Sequence, residues 1–112
     1  MDKLSKITVT SINEIFTVSS PKGRTEEIYK RKSYGLSFCI NGQITYTHNN
    51  NKTVSDKNNA VLQPKGQSYT LHGDKTGIFP VINFQCAEFL CNSVMSIPVQ
   101  NANAYIDRKS VV

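Results

Sequence analysis

The sequence predicts an all-β barrel or sandwich of about eight strands, on three observations. First, Ile, Val, Thr, Tyr and Phe are well represented while Leu and Ala are sparse, a bias that favours strands over helices. Second, apolar and polar residues alternate with a period of two over several segments. Third, turn signals separate these segments at intervals of roughly 8–12 residues, which is typical of sandwiches and barrels.

Five strands are predicted in the first half of the chain. The clearest runs from Tyr34 to Ile40, where large apolar residues alternate with Gly35, Ser37 and Cys39. Asn41-Gly42 follows it, and this dipeptide is the strongest short signal for a hairpin. Asn49–Asn51 predicts a second turn, since Asn tolerates positive φ. The five predicted strand segments are Ile7–Val18, which is expected to form one or two short strands, Arg24–Lys30, Tyr34–Ile40, Gln43–His48 and Lys52–Ser55.

The second half is organised around the corner Pro64-Lys65-Gly66. Pro ends a strand because it lacks an N–H, and Gly66 can take positive φ and reverse the chain. A short apolar strand precedes this corner. The segments predicted after it are a strand over Gln67–His72, a turn over Gly73–Gly77, a strand over Ile78–Cys86, a short helix or irregular turn over Ala87–Met95, and a last strand over Ile97–Ile106.

Length and composition limit the class of protein. The 112 residues fit one domain, assigned here to residues 1–112. No βαβ pattern occurs, which excludes a nucleotide site of the Rossmann type. The net charge is +5, but Lys30-Arg31-Lys32 is the one tight basic cluster. A nucleic-acid surface needs a denser stripe, so we expect these residues to form a solvated face.

The start of the chain and its three cysteines indicate a compartment. Residues 1–9 contain no apolar signal segment, and no apolar run approaches the length of a membrane span. Cys39, Cys86 and Cys91 are odd in number and do not have the spacing of a zinc site. We therefore expect thiols in the reducing cytoplasm and no metal at these positions.

The order of these features resembles the cupin fold, a double-stranded β-helix or jelly-roll barrel. More closely, it resembles the amino-terminal sensor domain of AraC-family transcription regulators. The residues that carry the resemblance are the aromatic-apolar strand Tyr34–Phe38, Gly42, the corner Pro64-Lys65-Gly66 and Phe84. Together they cover roughly half of the chain.

The metal ligands of cupin enzymes do not occur at the matching positions. Those enzymes carry two His and a Glu in their first motif and a further His three residues after the second-motif Gly. Here that last position is Tyr69, the first-motif region has only His48, and no Glu lies between Glu27 and Glu88. No pair of carboxylates and no nucleophile with a base partner is evident either. The resemblance therefore implies no metal, no cofactor and no catalysis.

Four aromatic residues are the candidate ligand-binding residues: Tyr34, Tyr46, Tyr69 and Phe84. As the resemblance implies, their strands would face one another in a cupin barrel. Tyrosine offers an apolar face and a hydroxyl, which suits a sugar-like or small organic effector. The alternative is that these side chains only fill the barrel. Arg24 and Arg31 either supply a charged contact at the barrel mouth or are exposed to solvent.

The resemblance implies a function for the chain as a whole. It predicts a cytoplasmic, homodimeric domain that binds a small effector, a sugar or another small metabolite, for an AraC-type regulator. Contacts with DNA would be made only by the family's helix-turn-helix part, which these residues do not contain. Two alternatives stay open: a stand-alone cupin enzyme of carbohydrate metabolism, and a purely structural dimerisation cupin with a filled barrel.

Overall fold

The architecture is an antiparallel β-barrel, as the sequence predicts. A computed structural model describes residues 8–99, and these form one eight-stranded sheet that curls into a nearly closed, cupin-like barrel. The strands are β1 (Val9–Ser20), β2 (Thr25–Ile28), β3 (Tyr34–Ser37), β4 (Asn41–His48), β5 (Asn51–Ser55), β6 (Asn59–Gln63), β7 (Tyr69–Cys86) and β8 (Met95–Pro98).

Strand β7 organises the barrel because it pairs with four other strands. Its first part lies between β2 and β4, with Tyr69 opposite Ile28 and Leu71 opposite Tyr46. Its second part lies between β1 and β3, with Phe84 opposite Tyr34. Strand β3 then pairs with β6, β6 with β8, and β4 with β5. One long, curving strand thus connects both halves of the barrel.

The predicted turn over Gly73–Gly77 is wrong, because β7 runs through it without interruption. Both glycines instead permit close approach of other chain segments. A Cβ atom at Gly77 would lie 1.9 Å from the carbonyl oxygen of Asn41, and one at Gly73 would lie 2.6 Å from that of Pro21. The same residue type thus serves packing here rather than chain reversal.

The predicted hairpin at Asn41-Gly42 is also wrong. Asn41 is the first residue of β4 and pairs with Ile78 of β7, while β3 pairs with β6 and β7. The register shifts between Asn41 and Gln43, and Gly42 has a φ of 91°. The dipeptide therefore forms a β-bulge in which Gly supplies the positive φ.

Two other predicted turns are confirmed. Asn49 and Asn50 have φ values of 51° and 67° and connect β4 to β5 as a two-residue hairpin. Gly66 has a φ of 84° and reverses the chain after β6. Residues 87–94 adopt the irregular alternative rather than a helix. Strand β8 overlaps the start of the predicted last strand but begins two residues earlier, at Met95, and ends at Pro98. The part of that predicted strand beyond residue 99 lies outside the described residues.

The β3, β6 and β7 part of the sheet buries both of its faces. One face carries a cluster that we call the outer core, covered by residues 87–98; it comprises Tyr34, Leu36, Ala60, Leu62, Phe84, Leu90, Cys91 and Ile97. The other face lies inside the barrel. The cluster there, the inner core, comprises Ile44, Tyr46, Val61, Tyr69, Leu71 and Phe79.

Candidate functional site

The barrel encloses a cavity of about 340 Å³ next to the inner core. This volume is at the lower end of the range for small-molecule sites. Six strands and the connections on either side of β2 contribute to its lining. Much of the wall is apolar and consists of Phe16, Val18, Ile28, Leu71, Phe79 and Val81. We call this space the barrel cavity.

Two tyrosines and a glutamine form the polar end of the barrel cavity. Tyr46 and Tyr69 are 3% and 4% exposed, and their ring centroids lie 5.7 Å apart. Gln63 connects them, because its Nε2 donates to the Tyr46 hydroxyl at 3.3 Å and its Oε1 accepts from the Tyr69 hydroxyl. Burial raises the pKa of both phenols, so both keep their protons at neutral pH.

The guanidinium of Arg31 lies beside this pair. Its Nη1 donates to Gln63 Oε1 at 2.8 Å and to the Tyr69 hydroxyl at 3.3 Å. Its Nη2 donates to Asn83 Oδ1, and its Nε donates to the carbonyl oxygen of Ser33 at 3.1 Å. All four acceptors are neutral, so they satisfy the geometry of the guanidinium without cancelling its charge.

The two arginines of the cavity differ in their charge partners. Arg24 forms an ion pair with Glu26, and both side chains remain partly exposed at 26% and 46%. Arg31 is half-buried and takes part in no ion pair among residues 8–99. The nearest carboxylate in its hydrogen-bond network is Glu14, which accepts from Asn83 Nδ2 at 3.1 Å. A half-buried cation without a carboxylate partner attracts an anion.

The backbone of Arg31 is fixed to the Pro64-Lys65-Gly66 corner. The Gly66 N–H donates to the Arg31 carbonyl at 2.7 Å, and the Arg31 N–H donates to the carbonyl of Gln67 at 3.0 Å. The N–H of Lys30, a residue with a φ of 44°, donates to Ser68 Oγ at 2.8 Å. These hydrogen bonds to the corner and the two residues after it fix the backbone from which the Arg31 side chain extends into the cavity.

The structure divides the four predicted aromatic residues between the two cores. Tyr46 and Tyr69 line the barrel cavity. Tyr34 and Phe84 stack on each other in the outer core, with ring centroids 5.9 Å apart, and do not line it. Arg24 and Arg31 both line the cavity, and each remains partly exposed to solvent.

Three residues of the site were not predicted: Gln63, Asn83 and Gly35. Gln63 ends an apolar strand just before the Pro64 corner, and Asn83 interrupts the apolar run Ile78–Phe84. A polar residue within a buried strand needs a partner, and that was the available signal. The small face of the Tyr34–Ile40 segment was a second signal, since Gly35 and Ser37 leave room on the side that faces the cavity.

A second, larger depression lies where β1 ends beside β4 and β7. Its volume is about 410 Å³, and its lining consists of Ser19, Ser20, Pro21, Asn41, Thr76, Gly77 and Ile78. None of these side chains is ionisable, so the barrel cavity offers the richer chemistry. Within residues 8–99, no group of three or more His, Cys, Asp or Glu side chains is arranged to hold a metal ion. No helix in the described part of the chain is long and apolar enough to span a membrane.

Comparison with solved structures identifies the fold. The unliganded form of a ToxT point variant from Vibrio cholerae superposes with a TM-score of 0.54 and 17% identity, over 70% of this chain and 31% of ToxT. Wild-type ToxT with a bound unsaturated fatty acid gives a TM-score of 0.54 and 15% identity, over 69% of this chain and 31% of ToxT. A further ToxT crystal structure gives 0.53 and 15%, over 64% and 30%.

These matches confirm the fold expected from the resemblance, because ToxT is an AraC-family regulator. The chain spans less than a third of the length of the ToxT chains that it matches. At such low identity the likeness shows a shared fold alone. No family model and no curated protein matches the sequence.

Proposed function

We propose that this chain is the effector-binding domain of an AraC-type transcription regulator, and that its effector is a small amphipathic carboxylate. The observation that carries the proposal is the Arg31 guanidinium, which faces an apolar cavity and is bonded to neutral acceptors only. A carboxylate matches the planar fork of a guanidinium, and a hydrocarbon part matches the wall of Phe16, Val18 and Phe79.

This ligand class suits the cavity better than the sugar expected from the resemblance. A sugar carries hydroxyl groups on all sides, and each one buried against an apolar wall without a partner costs free energy. The apolar side chains of the wall, such as Phe16, Val18 and Phe79, offer no donor or acceptor to a polyol. Glu26, which also lines the cavity, is already paired with Arg24. The bound fatty acid in one of the matching ToxT structures supports the same class.

Binding would regulate by shifting a conformational equilibrium. An acidic effector that engages Arg31 competes with the Tyr69 hydroxyl for an Nη1 N–H group, and it therefore changes the contacts of the segment between β2 and β3. That segment is hydrogen-bonded to the Pro64-Lys65-Gly66 corner, so a change in its position would also move the corner at the barrel surface. The effector would favour one arrangement of the regulator's helix-turn-helix part, through which DNA is contacted in the cytoplasm.

The proposal includes a homodimer and no catalysis by this domain. Strand β1 supports a dimer, because Ile12 and Ile15 are 57% and 71% exposed on a strand that pairs only with β7 among the described residues. A stand-alone enzyme would instead require a metal or a reactive pair of side chains. Elemental analysis of the purified protein separates the two, since stoichiometric Mn, Fe, Ni or Zn would support the enzyme.

The test compares three compounds by calorimetry and thermal shift: decanoate, decanol and glucose. Decanol matches decanoate in chain length but lacks the charge. We expect decanoate to bind most tightly, and at a concentration of 100 times its Kd it should stabilise the fold by about 2.7 kcal/mol. Binding of glucose without binding of decanoate would contradict the proposed effector class. Binding of none of these or of related small acids would support the structural dimerisation alternative.

A further inference from the structure

Gly35 occupies the centre of a row of residues that crosses three strands beside the barrel cavity, of which Gln63 lines the cavity itself. It pairs with Gln63 of β6 on one side and with Asn83 of β7 on the other. The side-chain oxygens of both neighbours accept hydrogen bonds from the Arg31 guanidinium, one from Nη1 and one from Nη2. The guanidinium therefore lies across β3, held from the two adjacent strands.

The absence of a side chain at Gly35 makes this arrangement possible. A Cβ atom there would lie 2.6 Å from Arg31 Nη2, closer than real Cβ contacts, and 3.0 Å from Arg31 Cζ and 3.2 Å from Asn83 Oδ1, which are tight contacts. The guanidinium would therefore have to move. The glycines with positive φ are Gly23, Gly42 and Gly66, so Gly35 is not required by its backbone conformation. Space for the guanidinium is the remaining physical reason for glycine at this position.

The row also leaves the guanidinium able to bind a ligand. Of its five N–H groups, Nε and Nη1 use three on Ser33, Gln63 and Tyr69. Nη2 uses one on Asn83, which leaves one N–H without a partner among residues 8–99. The bond to the Tyr69 hydroxyl is long, at 3.3 Å, and an incoming carboxylate oxygen could replace it.

We propose that Gln63, Gly35 and Asn83 form a guanidinium cradle, and that Gly35 is a specificity-determining residue of the barrel cavity. By admitting the Arg31 side chain against the sheet, Gly35 fixes a planar cation at one end of the cavity. The cavity then selects a ligand with a planar oxyanion over a neutral ligand of the same shape. This inference rests on the proposed function, because it specifies how the same site recognises an acidic effector.

The experiment is a double-mutant cycle on the purified chain, with decanoate and decanol as probes. In G35A we expect the affinity for decanoate to fall about tenfold or more and the affinity for decanol to change little, because the displaced guanidinium no longer meets the carboxylate. In an R31M background, which removes the charge at similar length, G35A should cause no further loss of decanoate affinity. The ratio of the two affinities is the readout, since a purely structural role would weaken both probes alike.

A second measurement does not depend on any ligand. G35A should lower the midpoint of thermal unfolding, on the order of 5 °C for each kcal/mol of stability lost. In the R31M background G35A should lower the midpoint by less, because the clash with the guanidinium is removed. Additive effects of the two substitutions on unfolding would overturn the cradle even if decanoate binds. An unchanged ratio of decanoate to decanol affinity in folded G35A would overturn the selectivity. Conversely, coupled stability effects without decanoate binding would support the cradle and reject the proposed effector.

Discussion

Arg31 Nη1 donates a 2.8 Å hydrogen bond to Gln63 Oε1, and this bond joins the connection between β2 and β3 to the last residue of β6. The main chains of the same two regions are joined as well, by the bonds of Arg31 to Gly66 and Gln67. The side chain that faces the cavity and the corner on the barrel surface are thus parts of one hydrogen-bonded unit. Through these hydrogen bonds, a ligand bound in the barrel cavity can change the conformation of the corner at the surface.

Replacement of Arg31 tests the charge of the site. We expect R31M to weaken decanoate binding roughly tenfold to a hundredfold, because a hydrogen bond to a charged group contributes about 1.5–3 kcal/mol. R31K should restore only part of the affinity, since an ammonium lacks the planar fork. Calorimetry provides the measurement.

R24M is the matched control for this prediction. Arg24 also lines the cavity, but Glu26 already neutralises its charge, so its removal should cost much less decanoate affinity. An R24M protein that loses as much affinity as R31M would contradict the assignment of the carboxylate to Arg31.

The buried phenols predict a loss of stability in alkali. Burial raises the pKa of Tyr69 above its value of about 10 in the unfolded chain, so the unfolded state releases the proton first. The contribution of Tyr69 is therefore complete below pH ~10 and declines as the pH rises further, by about 1.4 kcal/mol per pH unit. Tyr46 acts in the same direction.

Urea unfolding at a series of alkaline pH values measures this effect. Y69F should make the decline shallower, whereas Y29F should not, because Tyr29 is 78% exposed and lies outside the buried cores. An identical alkaline slope in wild type and Y69F would contradict the buried, protonated phenol.

The close approach of β4 and β7 at Gly77 predicts an unequal cost of alanine at two glycines. In G77A the new Cβ would collide with the Asn41 main chain, which is fixed in the β4–β7 ladder. We expect a loss on the order of 3 kcal/mol in the free energy of unfolding.

G66A provides the comparison. Gly66 has a φ of 84° but open space around it. Alanine there should therefore lower the free energy of unfolding by only about 1 kcal/mol, the cost of the left-handed conformation. Chemical denaturation ranks the two variants. Equal losses would mean that β4 can move away from β7 at low cost.

Glycine positions also show which turns can be predicted from the sequence and which cannot. Local conformation was predictable at Asn49, Asn50 and Gly66, whose positive φ values were expected from the turn chemistry. The turns predicted at Gly42 and Gly73–Gly77 were wrong because a glycine can serve a bulge or a close approach as well as a reversal. Which of these applies depends on a partner strand that is distant in sequence.

The candidate site was predicted only in part for a related reason. Alternation correctly separated the large side chains of Tyr34–Phe38 from the small ones, but β3 ends at Ser37 and Ile40 is 60% exposed. Alternation also cannot assign either face to the cavity. The large face, with Tyr34, packs in the outer core, while Gly35 and Ser37 face the barrel. Arg31 lies in the connection before β3, and no local sequence pattern distinguishes this half-buried arginine from the exposed Lys30 and Lys32 on either side of it.

The exposed strand β1 predicts the surface used by the proposed dimer. Among residues 8–99 its outer edge pairs with no strand, and Glu14 is the one charged residue along its length, so it lacks the lysines and prolines that usually protect an edge. Two copies can pair these edges antiparallel about a two-fold axis, which would bury Ile12 and Ile15 of each.

Sedimentation of the purified chain tests this pairing. Wild type should sediment as a dimer and I15K as a monomer, because a lysine in the pairing surface would place two like charges near each other across the axis. I40K is the matched control: Ile40 is 60% exposed, close to the 71% of Ile15, but lies between β3 and β4, on the opposite edge of β7 from β1. I40K should therefore remain dimeric. A monomeric wild type, or a dimer that survives I15K and dissociates in I40K, would reject β1 as the interface. If the wild type is a monomer and still binds decanoate, ligand binding does not require the second copy.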